Sequence, residues 1–420
     1  MISAQMIRED AEAIRRSLKR RRTDAPLDEA IEVDDQRREV LVELEDLRAE
    51  RNAAGRAIGK AKDNEERQRL IAAQRESAAR IDELEEQLRA VESSMIALLA
   101  EIPNVVGDET PDGNDEDSNV VVREWGKRRA FNFDPRPHWE IGEQLGIIDI
   151  ERAAAMSGSR MYALRGAGAR LQRALIGWFL DCHGESGYEE CYVPAMVRED
   201  AMRASGQLPK FRDNLYRDEE EDYYFVPTAE VPLTNMHADE ILSEDQLPIR
   251  YAAHTPCFRR EKTSAGRDVR GIKRVHQFEK VEMYQFTTPE ASASALEEML
   301  ASAESLLQGL ALEYRVLQIC SGDIGFSASV SYDLEIWAPG AQEWLEVSSI
   351  SNCTDFQARR ANIRYRPEDK RGTRFVHTLN GSGLALPRAI AALLENGQQS
   401  DGSVILPEIL ASRMGSRVIT

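Results

Sequence analysis

The stretch "TPCFRREKTSAGRDVRGIKRVHQFEKVEMYQF", residues 255–286, places a basic, glycine-containing segment between two apolar runs. Apolar runs on both sides of a short polar segment are typical of two antiparallel strands joined by a loop. Residues 258–278 hold seven Arg or Lys against two acids, although the whole chain has a formal net charge of −19. Arg guanidinium groups suit phosphate oxygens. Taken alone, the pattern fits a solvated turn or an RNA contact as well as a nucleotide site.

Other runs in the C-terminal part of the chain predict further strands and helices. Strand-like runs occur at 189–193, 223–226, 274–286, 313–319, 331–337 and 343–350, and helical stretches at 166–184 and 290–311. Strands outnumber the helices that could connect parallel neighbours, and several strands follow one another directly. This favours an α+β fold with an antiparallel sheet flanked by helices.

The N-terminal part of the chain has a different, purely helical pattern. Residues 33–102 are rich in Arg, Glu, Leu and Ala, contain no Pro, and keep their apolar positions at heptad spacing. Val40 and Leu44 share one such line of apolar residues, and Ile81 and Leu84 share the other. The pattern predicts an antiparallel coiled-coil hairpin.

The far end of this hairpin is predicted to be basic. The segment "KDNEE" (62–66) offers turn and N-cap residues, and a helix from about 32 to 62 extends roughly 45 Å. Residues 48–80 have a net charge of +4, whereas residues 81–101 have a net charge of −5. An ordinary solvated helix face would explain such charges. A basic tip on a long arm of an acidic protein favours contact with a polyanion.

Composition sets the domain boundaries that we expect. Residues 102–119, "IPNVVGDETPDGNDEDSN", contain two Pro, two Gly and a cluster of acids, which is typical of a linker. We therefore expect an N-terminal domain at 1–103, a linker at 104–125 and a second domain at 126–420.

Several classes of protein are disfavoured by the sequence. The pI near 5.0 argues against a generally basic nucleic-acid coat. The five scattered Cys show no CxxC pairing, which disfavours a disulfide framework and a zinc site. No GxxxxGK[ST] loop, secretory signal or membrane span is recognisable. We expect a cytoplasmic protein that neither associates with a membrane nor binds zinc.

Two downstream stretches carry chemistry similar to that of the basic hairpin. "EWLEVSSISNCTDFQARR" (343–360) places Glu346 and Ser349 three residues apart, and both offer oxygen ligands of the type that Mg²⁺ accepts. "HTLNGSGLALPRAIAALLEN" (377–396) runs from a strand through small residues into a helix, with Arg388 in its opening turn. Each signal is weak when taken alone.

Taken together, these segments resemble those of bacterial-type seryl-tRNA synthetases, which are class II aminoacyl-tRNA synthetases. The resemblance rests on a coiled-coil hairpin followed by "PTAEVPLTN" (227–235), "PCFRRE", "AGRDVRG", "RVHQFEKVEM", "EVSSISNCTDFQARR" and "HTLNGSGLALPR". It covers essentially the whole chain. It implies a class II catalytic domain and a homodimer, with "GYEECYVPAMV" (187–197) as the first class II motif at the dimer interface.

The resemblance also implies roles in ATP binding. Arg259 would bridge the α-phosphate and the serine carboxylate, and Arg388 would hold the γ-phosphate of a bent ATP. Glu261 would lie at the adenine end, Phe278 would stack on the base, and Val275 would line the same wall. The remaining ATP-binding residues would be Arg260, Glu346, Val347, Ser348 and Ser349, with Glu346 and Ser349 binding Mg²⁺. Loop residues Arg267, Arg270 and Lys273 would meet the acceptor end of tRNA.

For the amino acid, the resemblance implies a polar pocket. Thr228, Ala229 and Glu230 would close over serine, together with Arg259 at the carboxylate. Glu282 would accept hydrogen bonds from the ammonium and hydroxyl groups. Asn380 and Ser382 would line the remaining side. A site that hydrogen-bonds a hydroxyl group strongly rejects an analogue that lacks it.

The implied reaction joins serine to tRNA(Ser) through seryl-adenylate, with tRNA(Sec) as a further candidate acceptor. Two alternatives are an enzyme that loads a carrier protein and a catalytically silent RNA-binding or scaffold protein. The basic-tipped arm argues against the first, and retention of Arg259 and Arg388 argues against the second. Arg260, Lys262 and Ile350 depart from residues common in the family.

Overall fold

A computed structural model describes residues 1–262, 270–368 and 371–420 and divides the chain into two compact units. One unit comprises residues 2–19 and 23–103, and the other comprises Met1, residues 20–22 and residues 104–420.

The N-terminal unit is helical. Its elements are α1 (Ala4–Arg20), α2 (Leu27–Lys60) and α3 (Asn64–Glu101). Val40 and Leu44 of α2 pack with Ile81 and Leu84 of α3, and all four are at most 5% exposed. Burial of such aliphatic side chains stabilises the pairing by about 1.5–3 kcal/mol each. The predicted helical hairpin is confirmed.

The turn between α2 and α3 lies where the sequence predicts it. Helix α2 ends at Lys60, and the side chain of Asp63 accepts a hydrogen bond from the backbone N–H of Glu66 at 3.1 Å. This cap satisfies one of the free N–H groups at the start of α3.

Ion pairs in the hairpin leave much of the basic tip uncompensated. Arg48 pairs with Glu85 at 2.7 Å, and Arg80 pairs with Glu43 at 2.8 Å. The other tip cations form no ion pair with any residue in the described ranges: Arg51, Arg56, Lys60, Lys62, Arg67, Arg69 and Arg75.

The second unit is built on an eight-stranded sheet with the order β1-β10-β11-β12-β15-β9-β8-β4. The strands of this unit are β1 (Val120–Trp125), β2 (Ile148–Asp149), β3 (Ala163–Leu164), β4 (Glu189–Cys191), β5 (Met196–Arg198), β6 (Tyr223–Phe225), β7 (Ile241–Ser243), β8 (Ile249–Phe258), β9 (Gln277–Thr287), β10 (Tyr314–Gln318), β11 (Val330–Ala338), β12 (Glu343–Asn352), β13 (Arg364–Arg366), β14 (Arg374–Phe375), β15 (His377–Ala385), β16 (Val404–Ile405) and β17 (Val418–Ile419). Neighbours in the large sheet are antiparallel, except that β4 runs parallel to β8.

Helices cover this sheet and bury its core. The helices of this unit are α4 (His138–Gln144), α5 (Ile150–Ser157), α6 (Ala167–Glu185), α7 (Glu199–Ser205), α8 (Glu230–Asn235), α9 (Ser292–Gly309), α10 (Phe356–Ala361), α11 (Leu386–Gly397) and α12 (Ala411–Met414). Phe179 of α6, Met299 of α9 and Ile390 of α11 share one core cluster with Met283 of β9. The predicted α+β class with a largely antiparallel sheet is confirmed.

The segment expected as a linker, 104–125, differs from that expectation in the structure. It belongs to the second unit, and its last six residues form β1, which pairs with β10. The side chain of Asn104 also donates to the carbonyl oxygen of Cys353 at 2.8 Å. All six side chains of β1 are exposed, so its sequence lacks the alternation that identifies a half-buried strand.

No helix in the described ranges is both long and apolar enough to cross a membrane.

Candidate active site

The end of the β8–β9 hairpin gives the candidate site its frame. Cys257 pairs with Phe278 in the antiparallel register. Alternate residues of a strand share one face, so Phe278, Lys280 and Glu282 follow one another along the same face of β9. Two adjoining cavities lie along this face: Phe278 lines the smaller cavity, Glu282 lines the larger cavity, and Lys280 lines both.

Arg259 leaves the end of β8 with its backbone and side chain held. Its N–H donates to the carbonyl oxygen of His276 at 2.9 Å, and its Nε donates to the carbonyl oxygen of Pro227 at 3.3 Å. The guanidinium carbon lies 5.1 Å from the centre of the Phe278 ring. A cation over an aromatic face is stabilised by the ring quadrupole, so this arginine is positioned before any ligand arrives.

Glu261 lies beyond Arg259 in a backbone conformation that is unusual for a residue with a side chain. Its φ is +50°, which lies in the left-handed region. Arg274 donates to the Glu261 carboxylate at 3.2 Å. Both side chains, with Val275, line the smaller cavity, which has a volume of about 60 Å³.

Arg388 enters this cavity from the first turn of α11. Its guanidinium group donates to the carbonyl oxygen of Glu346 at 2.6 Å and lies 3.4 Å from the Glu346 carboxylate. Its Nε donates to the carbonyl oxygen of Lys273 at 3.1 Å. Helix α11 therefore holds a cation against both β12 and the base of the basic loop, by which we mean Ile272 and Lys273 on the side of the loop that precedes β9.

The larger cavity, of about 420 Å³, continues from the smaller one. Their shared lining carries four cations and two carboxylates along with Ser382: Arg259, Arg274, Lys280, Arg388, Glu261 and Glu346. The far part of the larger cavity adds Thr228, Glu230, Glu282 and Asn380. The cleft thus has a basic end and a polar end that contains carboxylates.

Glu282 is the central acid of the polar end. It is 2% exposed, pairs with the Lys280 ammonium, and accepts a hydrogen bond from the Thr228 hydroxyl at 3.0 Å. Register places Ser382 of β15 directly opposite Glu282 of β9. A buried carboxylate without such partners would be very costly.

Glu230 is a second buried acid beside it. Burial, and then the charge of Glu282, raise the pKa of Glu230 to about 7. Gln357 donates to its carboxyl group at 2.6 Å, and Asn380 donates at 3.3 Å. The carboxyl group is therefore held in place even when it carries a proton.

The donor set near Glu346 suits a hard divalent cation. Glu346 is 45% exposed, and Ser349 lines the larger cavity beside it. Asp333 of β11 lies directly opposite Ser349 of β12 in the antiparallel register. One oxygen of Asp333, Oδ1, is buried and has no hydrogen-bond partner among the described residues. Burial and the charge of Glu346 raise the pKa of Asp333 well above its usual range.

Oxygen ligands of this kind fit Mg²⁺, which usually keeps water and substrate phosphate in its shell. No group of three or more His, Cys, Asp and Glu side chains in the described part of the chain is arranged to hold a metal. Protein groups alone would thus supply an incomplete shell.

Most residues expected in the site lie together along the cleft, but three do not face it. Arg260 donates its N–H to the carbonyl oxygen of Asn214 and lies over the Tyr216 ring at 5.9 Å. Ala229 is fully buried in a hydrophobic cluster. Ser348 is 1% exposed and donates to the carbonyl oxygen of Ser382 at 2.6 Å. These positions support the cleft without lining either cavity.

The basic loop also differs in part from expectation. Lys273, expected to face tRNA, is 10% exposed, pairs with Glu343 at 2.5 Å and lines the smaller cavity. Arg270 is exposed. Arg267 lies outside the described residues.

Sequence reasoning missed Lys280, Arg274 and Gln357 as lining or supporting residues. The alternation in "FEKVE" (278–282) contained a signal for Lys280, because every second residue shares a face. Gln357 had no such signal, since its amide reaches Glu230 across a distance of 127 residues in sequence.

Comparisons with known proteins agree with this arrangement. Residues 210–397 match the model of the tRNA synthetase class II core domain (G, H, P, S and T), and residues 1–106 match the seryl-tRNA synthetase N-terminal domain. A serine–tRNA ligase of Roseiflexus sp. is 56% identical over 99% of this chain and 98% of its own length. One of Thermomicrobium roseum is 54% identical over 99% and 94%.

A solved structure is similar along the whole chain. The crystal structure of seryl-tRNA synthetase from Pyrococcus horikoshii complexed with ATP superposes with a TM-score of 0.96 at 40% identity, covering 100% of this chain and 99% of that one. The family inferred from the motifs is confirmed. The chain belongs to the serine–tRNA ligases, a family of class II aminoacyl-tRNA synthetases.

Proposed function

We propose that this chain activates L-serine with ATP to form seryl-adenylate and then transfers the seryl group to tRNA(Ser). The observation that carries this proposal is the continuous cleft with Arg259 and Arg388 at one end and Glu282 with Thr228 at the other. Cations at one end suit a triphosphate, and hydrogen-bond acceptors at the other end suit the ammonium and hydroxyl groups of serine.

ATP would lie at the basic end of the cleft. Phe278 offers a ring for stacking on adenine, with Glu261 and Val275 along the same cavity. Arg259 is assigned to the α-phosphate and Arg388 to the γ-phosphate. Both guanidinium groups are already held by carbonyl oxygens, so little reorganisation is needed when charge develops.

Mg²⁺ would be held by Glu346 and Ser349. When bound, it would neutralise phosphate charge while the adenylyl group is transferred to serine. Ser349 is held in position by the pairing of β12 with β11, where it lies directly opposite Asp333.

Serine would lie at the polar end. Its carboxylate is assigned to Arg259, its ammonium group to Glu282 and Thr228, and its hydroxyl group to Glu282, with Asn380 and Ser382 on the remaining side. Glu230 shapes this end through its bonds to Gln357 and Asn380. Alanine would leave buried polar groups unpaired, which is costly.

The chemistry follows in two steps. A serine carboxylate oxygen attacks the α-phosphorus, and the bond from this phosphorus to the pyrophosphate oxygen breaks. A terminal ribose hydroxyl of tRNA then attacks the carbonyl carbon of seryl-adenylate, loses its proton, and AMP leaves. No side chain needs to form a covalent bond, so the rate rests on positioning and charge stabilisation.

The hairpin of α2 and α3 is proposed to bind tRNA through its basic tip, where seven cations have no ion-pair partner in the described ranges. tRNA(Sec) is a second acceptor candidate. We also propose a homodimer formed through residues 187–197, and a cytoplasmic location.

Amino-acid-dependent exchange of pyrophosphate into ATP tests the proposed activity across all standard amino acids. Serine should give by far the highest exchange rate, and Mg²⁺ removal should abolish it. A higher rate with any other amino acid, or no exchange with serine in protein shown to be folded by circular dichroism, would overturn the proposal.

A further inference from the structure

Lys280 contacts Thr228 and Glu282, the two residues that we propose bind the ammonium group of serine. Its Nζ donates to the Thr228 hydroxyl oxygen at 2.8 Å and forms an ion pair with the Glu282 carboxylate. The lysine side chain is 7% exposed, and that of Glu282 is 2% exposed. A primary ammonium group therefore already lies on Thr228 and Glu282 before any substrate binds.

The electrostatic surroundings explain why a cation lies there. Two buried acids, Glu282 and Glu230, face this point of the cleft, and Arg259 is a further cation near Glu230. A buried carboxylate that loses its counter-ion is strongly destabilised. Lys280 supplies that counter-ion in the free enzyme.

From its position on β9, the ammonium group of Lys280 can also reach a second part of the cleft. It stands between Phe278 and Glu282 on one strand face and lines both cavities. Its four-carbon stem is flexible and its head is a compact point charge. The ammonium can therefore turn toward the basic end of the cleft, where the serine carboxylate is assigned, while its backbone stays in the sheet.

We propose that Lys280 competes with the α-ammonium of serine for Thr228 and Glu282, and that it turns to the serine carboxylate once displaced. This inference rests on the proposed function. A ligand that brings both an ammonium and a carboxylate gives Lys280 a new partner. A ligand that brings only an ammonium leaves Lys280 displaced and without an anion. Lys280 thus makes the site specific for an α-amino acid against a simple amino alcohol.

The test compares L-serine with ethanolamine, which keeps the ammonium and hydroxyl groups but lacks the carboxylate. Dissociation constants of both ligands are measured by calorimetry for the full-length wild type, Lys280→Met and Lys280→Arg. In Lys280→Met, ethanolamine should bind about tenfold tighter or more, as expected when a charge-assisted competitor is removed. Serine should bind no tighter, because its carboxylate then has one cation fewer to bind. Lys280→Arg should keep the wild-type preference for serine.

A matched control removes another strand-borne cation. Arg250 of β8 pairs with Glu298 at 2.6 Å and lines neither cavity of the cleft. Arg250→Met should therefore leave the ratio of the two dissociation constants at its wild-type value. If Lys280→Met does not fold, Lys280→Gln is used instead. Its amide can still donate to Thr228, which helps to preserve the fold, but it carries no charge that competes for Glu282. The same gain in ethanolamine binding is then expected.

An unchanged ratio of the two dissociation constants in a folded neutral variant would overturn the inference. This outcome is distinguishable from failure of the proposed function, because pyrophosphate exchange by the wild type reports serine activation independently. Exchange with serine and an unchanged ratio would leave the function standing and remove the role of Lys280.

Discussion

The Nε of Arg388 donates to the backbone carbonyl oxygen of Lys273 at 3.1 Å. This bond ties the first turn of α11 to the base of the basic loop. Farther along the same helix, the buried carboxylate of Glu395 lies 2.8 Å from Nδ1 of His138, and Nε2 of His138 accepts from the N–H of Ile272. Two successive residues of the loop base are thus held, directly or through His138, by α11.

The first prediction concerns the two arginines that we propose bind the phosphates. Arg259→Ala and Arg388→Ala should each lower serine-dependent pyrophosphate exchange by about 10²- to 10³-fold or more, because each removes a preorganised charge from the transition state. Circular dichroism and mass measurement should show an unchanged fold and assembly. Rates within threefold of wild type for both variants would disprove the site assignment.

The second prediction concerns His138, which lies outside the motifs recognised from sequence. His138→Phe should lower the free energy of unfolding by about 2–4 kcal/mol, because Glu395 and the Ile272 N–H both lose a buried partner. His138→Gln, which keeps a donor and an acceptor, should lose much less. Urea unfolding measures both values.

A positioning role would also appear in kinetics. His138→Gln should raise the KM for ATP more than the KM for serine, since the loop base borders the smaller cavity. Equal changes in the two constants would indicate a purely structural histidine.

Sequence alone predicted the elements whose signal is local. The heptad spacing around Val40 and Leu44, the cap at Asp63 and the hairpin around Arg259 needed only neighbouring residues. The exposed strand β1 had no alternation to reveal it. The partners Glu230 and Gln357, or Glu395 and His138, are brought together only by tertiary packing, which no local pattern contains. Ser348 and Ala229 belonged to the right segments, but the local backbone turned their side chains away from the cavities.

The third prediction separates serine binding from ATP binding. Glu282→Gln should raise the KM for serine by about tenfold or more while changing the KM for ATP little, because a charge-assisted bond to the ammonium is removed. Steady-state exchange at saturating concentration of the other substrate measures each constant. Equal losses would argue that Glu282 is a structural residue of β9.

The fourth prediction concerns the pH dependence of stability. The pKa of Glu230 rises from its usual 4.5 to about 7 in the fold, mainly through burial and then through Glu282. Between these values the folded chain holds a proton that the unfolded chain has released. The free energy of unfolding contributed by this group should therefore fall as pH rises through this window, by roughly 3 kcal/mol in total.

Glu230→Gln isolates this contribution, because its amide does not titrate. Urea unfolding near pH 5 and near pH 8 should show a smaller loss of stability in the variant than in the wild type. Identical losses in the two proteins would mean that Glu230 does not carry the extra proton.

The last prediction tests the helical hairpin. Replacing residues 48–77 with a short turn keeps Val40, Leu44, Ile81 and Leu84 of the helical core but removes the basic tip. Serine-dependent pyrophosphate exchange should stay within about twofold of wild type, because the assigned ATP and serine residues all lie beyond residue 226 and need no part of the tip. Transfer of serine to tRNA should fall by about 10²-fold or more, since phosphate contacts dominate such affinity.

A second variant separates charge from shape. Changing Arg56, Arg67, Arg69 and Arg75 to Gln keeps both helices, because Gln is a good helix former, and removes four cations without an ion-pair partner in the described ranges. Its affinity for tRNA should drop at low salt, and the slope of log affinity against log salt should become shallower by about 0.9 for each phosphate that the tip no longer neutralises. Sedimentation must show the same assembly as wild type, because a hairpin that mediates dimerisation would also reduce transfer. Wild-type charging rates and an unchanged salt slope in both variants, with assembly intact, would show that the hairpin tip does not bind tRNA.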